Sequence, residues 1–254
     1  MIKYRGVVVD HMQLTEKLEF DHDDRRDIYD YVERHGSVEP ERARRSLNMD
    51  HRAFGHHVAI LKRDGILTET GGDLRVAYED DVHDEFEFDG VTVSIRQARE
   101  EDLTGLVGVI RQAIGDGTYV EAETVADVVD HEEVLLRHNE LESRMFFVAT
   151  VETEVVGWVN LVVSEAAKLD HTAKLTVGVL EEYRRHGIGS ELLERGVRWA
   201  ADNGIEKIYN SIPATNEDAI DFLSEHGWET EAVREDHYKF DEEYVDEVMM
   251  AMDV

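Results

Sequence analysis

A strand that passes through a tight, twice-glycine turn into a helix is the feature that most narrows what this chain can fold into. Lys174 to Val179 reads as the strand, and Val177-Gly178-Val179-Leu180-Glu181-Glu182-Tyr183-Arg184-Arg185-His186-Gly187-Ile188-Gly189-Ser190 carries it into the helix. Ile188, Leu192, Leu193, Val197 and Ala200 fall near one helical face, while Glu191, Glu194 and Arg198 point outward. A helix N-terminus offers unpaired N–H groups and the positive end of the macrodipole, which together suit a phosphate. Gly187 and Gly189 have no Cβ to hold a ligand off the backbone, and Arg184 and Arg185 add charge suited to phosphate oxygens. Two glycines alone serve a plain helix-opening turn equally well, so the surrounding sequence has to decide.

That surrounding sequence alternates strand and helix. Val91 to Arg96 predicts a strand, Asp102 to Ile114 and Thr124 to His138 predict helices, and Met145 to Thr150 and Val155 to Val163 predict strands. After the central helix come strand Ile205 to Ile212, helix Glu217 to His226, and two closing strands around Glu229 to Phe240 and Tyr244 to Met252. Such a pattern, ending in strands, predicts an α/β (α+β) domain with a mixed sheet covered by helices.

Upstream lies a different pattern. Ile28, Tyr31 and Val32 mark a helix capped by Gly36, Pro40 opens a short helix to Leu47, and Asp50 caps a third that buries Phe54, Val58 and Leu61. Gly65 to Thr68, the Gly71-Gly72 turn and Leu74 to Val76 predict a hairpin. Three helices and a hairpin over Asp21 to Ala77 resemble a winged helix-turn-helix domain. The expected division is a 1–20 extension, a 21–78 winged-helix-like domain, a 79–90 acidic linker and a 91–254 α/β domain.

Charge supports a boundary in that linker. Between Arg25 and Arg63 nine Lys or Arg face six acids, whereas Glu79 to Asp89 holds seven acids and no Lys or Arg, as a solvated linker or edge strand would. The whole chain carries a formal −31, and only seven of its 27 cations are lysine. An acidic, lysine-poor surface of this kind resembles proteins of salt-accumulating archaea, where molar salt screens the mutual repulsion of carboxylates. Cysteine is absent, which removes disulfides, thiolate metal sites and cysteine nucleophiles. No stretch approaches the ~18 apolar residues of a membrane span, and Gly6 to Val9 is too short for a signal peptide, so the expectation is a cytoplasmic protein with no membrane contact.

Arg184-x-x-Gly187-x-Gly189 after a Val-rich strand resembles the pyrophosphate loop of the GCN5-related N-acetyltransferase superfamily. Asn216-Glu217-Asp218-Ala219-Ile220 through Phe222-Leu223 to Gly227-Trp228 resembles that superfamily's second signature, and Tyr238-Lys239-Phe240 through Met250 its closing hairpin. The resemblance implies an acetyl-CoA donor and an amine acceptor: a small amine, an amino acid or a protein N-terminus. Main-chain groups of Val177 and Val179 would pair with the pantetheine arm as an added strand, with Arg184, Arg185, His186, Gly187, Ile188, Gly189 and Ser190 around the pyrophosphate and Asn216 on the cofactor. Transfer would be direct, which suits a chain without cysteine. The alternative is a regulator that senses coenzyme A without turnover. DNA or protein met through the winged helix, and a second copy of the chain, are further candidate partners.

An alkylamine is only about one part in a thousand neutral at pH 7, so a general base helps, as do donors to the acyl oxygen and an acid for the thiolate. Here the chain departs from the family pattern, with Lys174 where many relatives place glutamate and Leu223 where they place tyrosine. His171 is a candidate base, against the reading of a surface turn histidine. Tyr238 is a candidate acid, against that of a packed strand tyrosine. Glu165 and Asp170 could meet a cationic substrate or simply face solvent. The loops around Gly115 to Glu123 and Glu142 to Arg144 are expected to border the acceptor without fixing its identity. His131-Glu132-Glu133 with His138 lacks the helical spacing of a zinc motif, and no metal is expected.

Overall fold

The computed structural model describes residues 20–77, 84–88, 90–114, 119–139 and 141–254. The 1–19 part of the N-terminal extension, the 115–118 part of the first acceptor loop and much of the acidic stretch lie outside them. Contacts group the chain into two compact units, one of Met1–Glu33 with Ser37–Glu79 and the other of Asp80–Val254 with Arg34–Gly36.

The smaller unit contains α1 (Asp23–His35), α2 (Pro40–Ser46), α3 (His51–Arg63), β1 (Leu67–Thr70) and β2 (Asp73–Val76). Pro40 opens α2, and the Asp50 carboxylate caps α3 by accepting from the N–H groups of Arg52 and Ala53 at 2.8 and 3.2 Å. Gly71 and Gly72 turn the β1–β2 hairpin with φ of +63° and +95°, a pair of left-handed residues that matches the twist of the flanking strands. Ile28, Val32, Phe54, Leu61, Leu67 and Leu74 form its core. Two expected core positions, Tyr31 on α1 and Val58 on α3, are only half-buried against this core, while Tyr29 and His57 are the buried residues nearby. Tyr31 keeps its hydroxyl for Ser46 at 2.9 Å.

In the larger unit the chain runs β3 (Asp84–Phe88), β4 (Val91–Gln97), α4 (Leu103–Ile114), α5 (Val120–Glu132), β5 (Arg137–His138), β6 (Glu142–Val151) and β7 (Glu154–Ser164). It continues through β8 (Thr172–Val179), α6 (Ile188–Asp202), β9 (Lys207–Pro213), α7 (Glu217–Glu225), β10 (Glu229–Phe240) and β11 (Glu243–Asp253). The strands join in the order β10-β11-β9-β8-β7-β6-β4-β3, with β5 against β6. Part of the acidic stretch is thus an edge strand, β3. Every neighbouring pair is antiparallel except β8 and β9. The fold is a mixed, mostly antiparallel sheet covered by helices. Side chains alternate across it, so α6 packs on the face carrying Val159, Leu161 and Leu175, where Gly196 admits close approach. Helix α5 lies on the opposite face, where Lys174 reaches Glu121. None of the described helices is long and apolar enough to cross a membrane.

The helix expected over Thr124 to His138 is displaced. It begins at Val120 and stops where Glu133 turns left-handed at φ +56°, and the apolar run Val134 to Leu136 that follows is buried without being helical. Arg144 makes this arrangement satisfiable, because its guanidinium donates to the carbonyls of Val134 and Leu135 at 2.9 and 3.1 Å. His138 consequently sits on a strand, and Glu132 is engaged by Arg137 and Arg144. Likewise Val120 to Glu123 and Glu142 to Arg144, expected as loop, belong to α5 and β6.

Candidate active site

The parallel pair sets the geometry. Strands β8 and β9 are matched only over Thr172 to Lys174 and Lys207 to Tyr209, yet β8 continues to Val179 and β9 to Pro213. Beyond Lys174 they diverge, and a cavity of about 960 Å³ occupies the opening. The starts of two helices close its outer end: Gly187, Gly189 and Ser190 from α6, and Asn216 from α7. Gly187 caps α6 at φ +84°, a conformation that disfavours any side chain. Gly189 is different: a Cβ there would meet Phe222 at 3.5 Å and Val179 at 3.7 Å, both ordinary contacts. Packing does not demand glycine at 189, whereas a ligand resting on the helix end would.

Of the residues expected around a cofactor, Val177, Val179, Arg184, Arg185, Gly187, Gly189, Ser190 and Asn216 line the cavity; His186 and Ile188 do not. Ile188 is buried beneath the helix, and His186 stacks on Phe88 at 4.5 Å. Two lining side chains are used otherwise than the sequence suggests. Arg184 spends its guanidinium on the carbonyls of Val179 and Ala113, at 2.9 and 3.1 Å, and Asn216 accepts from Ala219 N–H at 3.3 Å as the α7 cap. Arg185 lies 3.4 Å from Asp218, both well exposed. His226 donates from Nδ1 to the Phe222 carbonyl at 2.7 Å, so its Nε2 accepts the Ser190 hydroxyl at 2.9 Å.

The inner end is polar and buried. The Tyr119 hydroxyl accepts from Asn210 Nδ2 at 2.9 Å and from Val177 N–H at 3.4 Å. Burial pushes this phenol up to about 12, against the pull of those two hydrogen bonds. Beside it, Asn210 Oδ1 and Trp158 Nε1 have no hydrogen-bond partner among the described residues. Nothing in the local sequence around Tyr119 announces it; a lone aromatic between the residues Gly-Asp-Gly-Thr and a helix is the available signal.

A profile of the acetyltransferase (GNAT) family matches residues 95–228, more than half of the chain. The chain belongs to this family. N-alpha-acetyltransferase 50 of Danio rerio is 35% identical over 66 residues, a match covering 26% of this chain and only 39% of that relative. Among solved structures, a ribosomal-protein-alanine N-acetyltransferase from Brucella melitensis superposes with a TM-score of 0.51 at 19% identity, covering 63% of this chain and 99% of its own. A GNAT phosphinothricin acetyltransferase from Sinorhizobium meliloti, solved with AcCoA, gives 0.52 at 16% identity, over 64% and 88%. At these identities the structures establish a shared fold.

Within this GNAT domain the expected acid and base positions are occupied as follows. Lys174 pairs with Glu121 at 2.9 Å, and Leu223 lines the cavity with no proton to give. His171 is exposed at the paired end of β8, roughly 20 Å along the strand from Val177 at ~3.3 Å per residue, and does not line the cavity. Tyr238 does not line it either; its hydroxyl donates to Glu247 at 3.3 Å, and burial followed by the Glu247 charge holds it protonated far above the usual tyrosine range. Asp170 is exposed.

Glu165 faces inward, where it accepts from the Ser143 hydroxyl at 2.5 Å, and Ser143 meets His138 Nδ1 at 2.6 Å. Burial lowers His138 from 6.5 to about 4 and raises Glu165. Because the folded histidine prefers to be neutral, its contribution is complete above pH 6.5 and lost as pH falls towards 4, at most about 3 kcal/mol. Glu165 works in the opposite direction. Replacing His138→Gln is therefore expected to shrink the stability difference between pH 7 and pH 4.5 in denaturant melts; an unaltered difference would show that His138 is not its source.

Proposed function

We propose that the larger unit is an acetyl-CoA-dependent N-acetyltransferase, with an amine attacking the thioester directly in a ternary complex. The observation carrying this is the opening between β8 and β9, closed at one end by a glycine-lined helix N-terminus and at the other by buried polar atoms. The residues present fit the donor. The N-terminus of α6, with no side chain at Gly187 or Gly189, would hold the pyrophosphate, with Arg185 beside it. On the open edge of β8, Val179 C=O is held by Arg184, a side chain that a strand-like arm would displace, while Val177 N–H rests on the Tyr119 hydroxyl only at 3.4 Å and can turn to the donor instead. Asn210 Oδ1 and Trp158 Nε1 remain to be satisfied within the same cavity. Bound acetyl-CoA supplies the activated acyl group; the protein's part is to position it, exclude water and polarise its carbonyl.

Tyr238 stays in the proposal as a group at the acceptor side, acting on the amine or through water rather than from the cavity wall, whereas His171, at the far paired end of β8, is set aside as the base. Incubating the protein with acetyl-CoA in high salt and following free thiol across amines, amino acids and peptides tests the function. Binding without thiol release across the whole panel would favour a coenzyme A sensor instead.

For residues 21–78 we propose a winged helix-turn-helix-like module, joined through 79–90 to a transferase domain over 91–254. Arg44, Arg45, Arg52, Lys62 and Arg63 are its cations suited to phosphates, but Arg44 and Arg45 meet Glu41, Lys62 meets Glu69 and Arg63 meets Asp64. With about four phosphate contacts, a tenfold rise in salt costs roughly three to four decades of affinity. DNA binding is therefore expected to be weak in concentrated salt, and sequence-specific retention of the full chain on DNA in molar KCl would contradict it.

A further inference from the structure

We propose that Tyr119 is the hydrogen-bond donor to the acyl oxygen of the bound thioester, acting together with the Val177 N–H; this rests on the acetyl-CoA reading of the cavity. The case begins with hydroxyl bookkeeping. A phenol oxygen accepts two hydrogen bonds and donates one. Here both acceptor sites are taken, by Asn210 Nδ2 at 2.9 Å and Val177 N–H at 3.4 Å, and the proton has no acceptor among the described residues. Tyr119 lines the cavity, which leaves that space as the outlet for its proton.

The two bonds are unequal. Asn210 holds the phenol at a normal distance, whereas the Val177 bond is at the long limit and is the one an incoming acceptor replaces. An acyl oxygen that takes its place receives N–H from Val177 and O–H from Tyr119. Pushed up to about 12 by burial, the phenol keeps its proton through the neutral range and acts as a donor, not a base. A donor buried and fixed in this way stabilises charge that develops on oxygen with little reorganisation. The Tyr238 phenol already gives its proton to Glu247, and Leu223 has none to give. Tyr119 thus acts on the acyl oxygen at the point where the usual leaving-group acid of the family is missing.

The test uses the full chain with acetyl-CoA labelled by carbon-13 at the acyl carbonyl, read by infrared difference spectroscopy, so no acceptor is needed. In the parent, the carbonyl stretch of the bound donor is expected below its frequency in solution. Tyr119→Phe should return most of that shift while affinity for acetyl-CoA changes by no more than about threefold, under 1 kcal/mol. With an amine found by thiol release, the same variant should lose about 10² to 10³ in kcat. Because Asn210 and Val177 lose a partner in that variant, 3-fluorotyrosine at 119 provides a second arm. It keeps the shape and both accepted bonds, donates more strongly, and should move the stretch further down. A carbonyl band indifferent to both changes overturns the role of Tyr119 while leaving the transferase reading intact. A parent that binds no acetyl-CoA overturns that reading and this inference with it.

Discussion

Gly178→Ala is expected to destabilise the transferase more than alanine at any other glycine of its sheet. A Cβ at 178 would lie 2.2 Å from the Trp158 ring carbon Cη2 and 2.7 Å from two of its neighbours, where real contacts do not fall below 3.0 Å. Trp158 is the cross-strand partner of Gly178 and is fully buried, so its ring can yield only by turning into the adjoining cavity. Overpacking of this kind typically costs 1 to 3 kcal/mol and occasionally more, and here about 3 or above is expected, a fall in Tm of roughly 6 to 12 °C. Since Trp158 and Gly178 both line the cavity, acetyl-CoA binding should weaken as well. Trimming the ring gives the check: Gly178→Ala added to Trp158→Phe should cost much less than it does alone, a coupling of at least about 1.5 kcal/mol in a double-mutant cycle. Additive losses would mean that the clash is relieved elsewhere. Gly108→Ala, in α4 with nothing near its Cβ, should stabilise slightly.

The second large effect falls on binding rather than folding. Gly189→Val is expected to abolish calorimetrically detectable acetyl-CoA binding while leaving the melting curve nearly unchanged. A Cβ at 189 has ordinary room against Phe222 and Val179, and valine is no worse than glycine within a helix. Its branches would, however, occupy the space above the first N–H groups of α6, where the proposed pyrophosphate rests. Charge-assisted hydrogen bonds contribute about 1.5 to 3 kcal/mol each, so losing two weakens binding by roughly two to four decades. Gly55→Ala on α3, where a Cβ meets nothing, should leave affinity untouched. A folded Gly189→Val protein with parental affinity would make the glycine turn an ordinary helix start and remove the basis for the proposed donor site.

What the sequence discloses and what it hides divide by range. The Asp50 cap, the Gly71-Gly72 turn and the passage from β8 through Gly187 into α6 are written within a few residues of one another, and each is readable. Hidden features depend on partners far along the chain. The left-handed stop at Glu133 and the buried run after it make sense only once Arg144 has docked on their carbonyls. Tyr119 and Asn210 are 91 residues apart, and no local pattern pairs them. Arg184 has the right spacing in the sequence, yet its guanidinium serves two main-chain carbonyls, because a strand end left unpaired needs its acceptors satisfied before any ligand arrives. Tyr238 reads as a plausible acid from its place in the closing hairpin, but a register shift between Arg234 and Tyr238 turns the hydroxyl towards Glu247, and bulges of this kind leave little trace in composition.

The brief β8–β9 pairing also bears on how the molecule moves. Strands β3 to β8 form one tightly laced cloth and β9 to β11 another, and on the sheet itself only Thr172 to Lys174 and Lys207 to Tyr209 stitch them together. A seam is softer than the cloth on either side. Thermal motion of the sheet should therefore concentrate in the angle between the two pieces, opening and narrowing the slot between them while each piece stays stiff. Anything that threads the slot and bonds to both lips would act as a rivet, so the occupied protein should be the quieter one, with its largest loss of motion in the closing hairpin, far from the ligand itself.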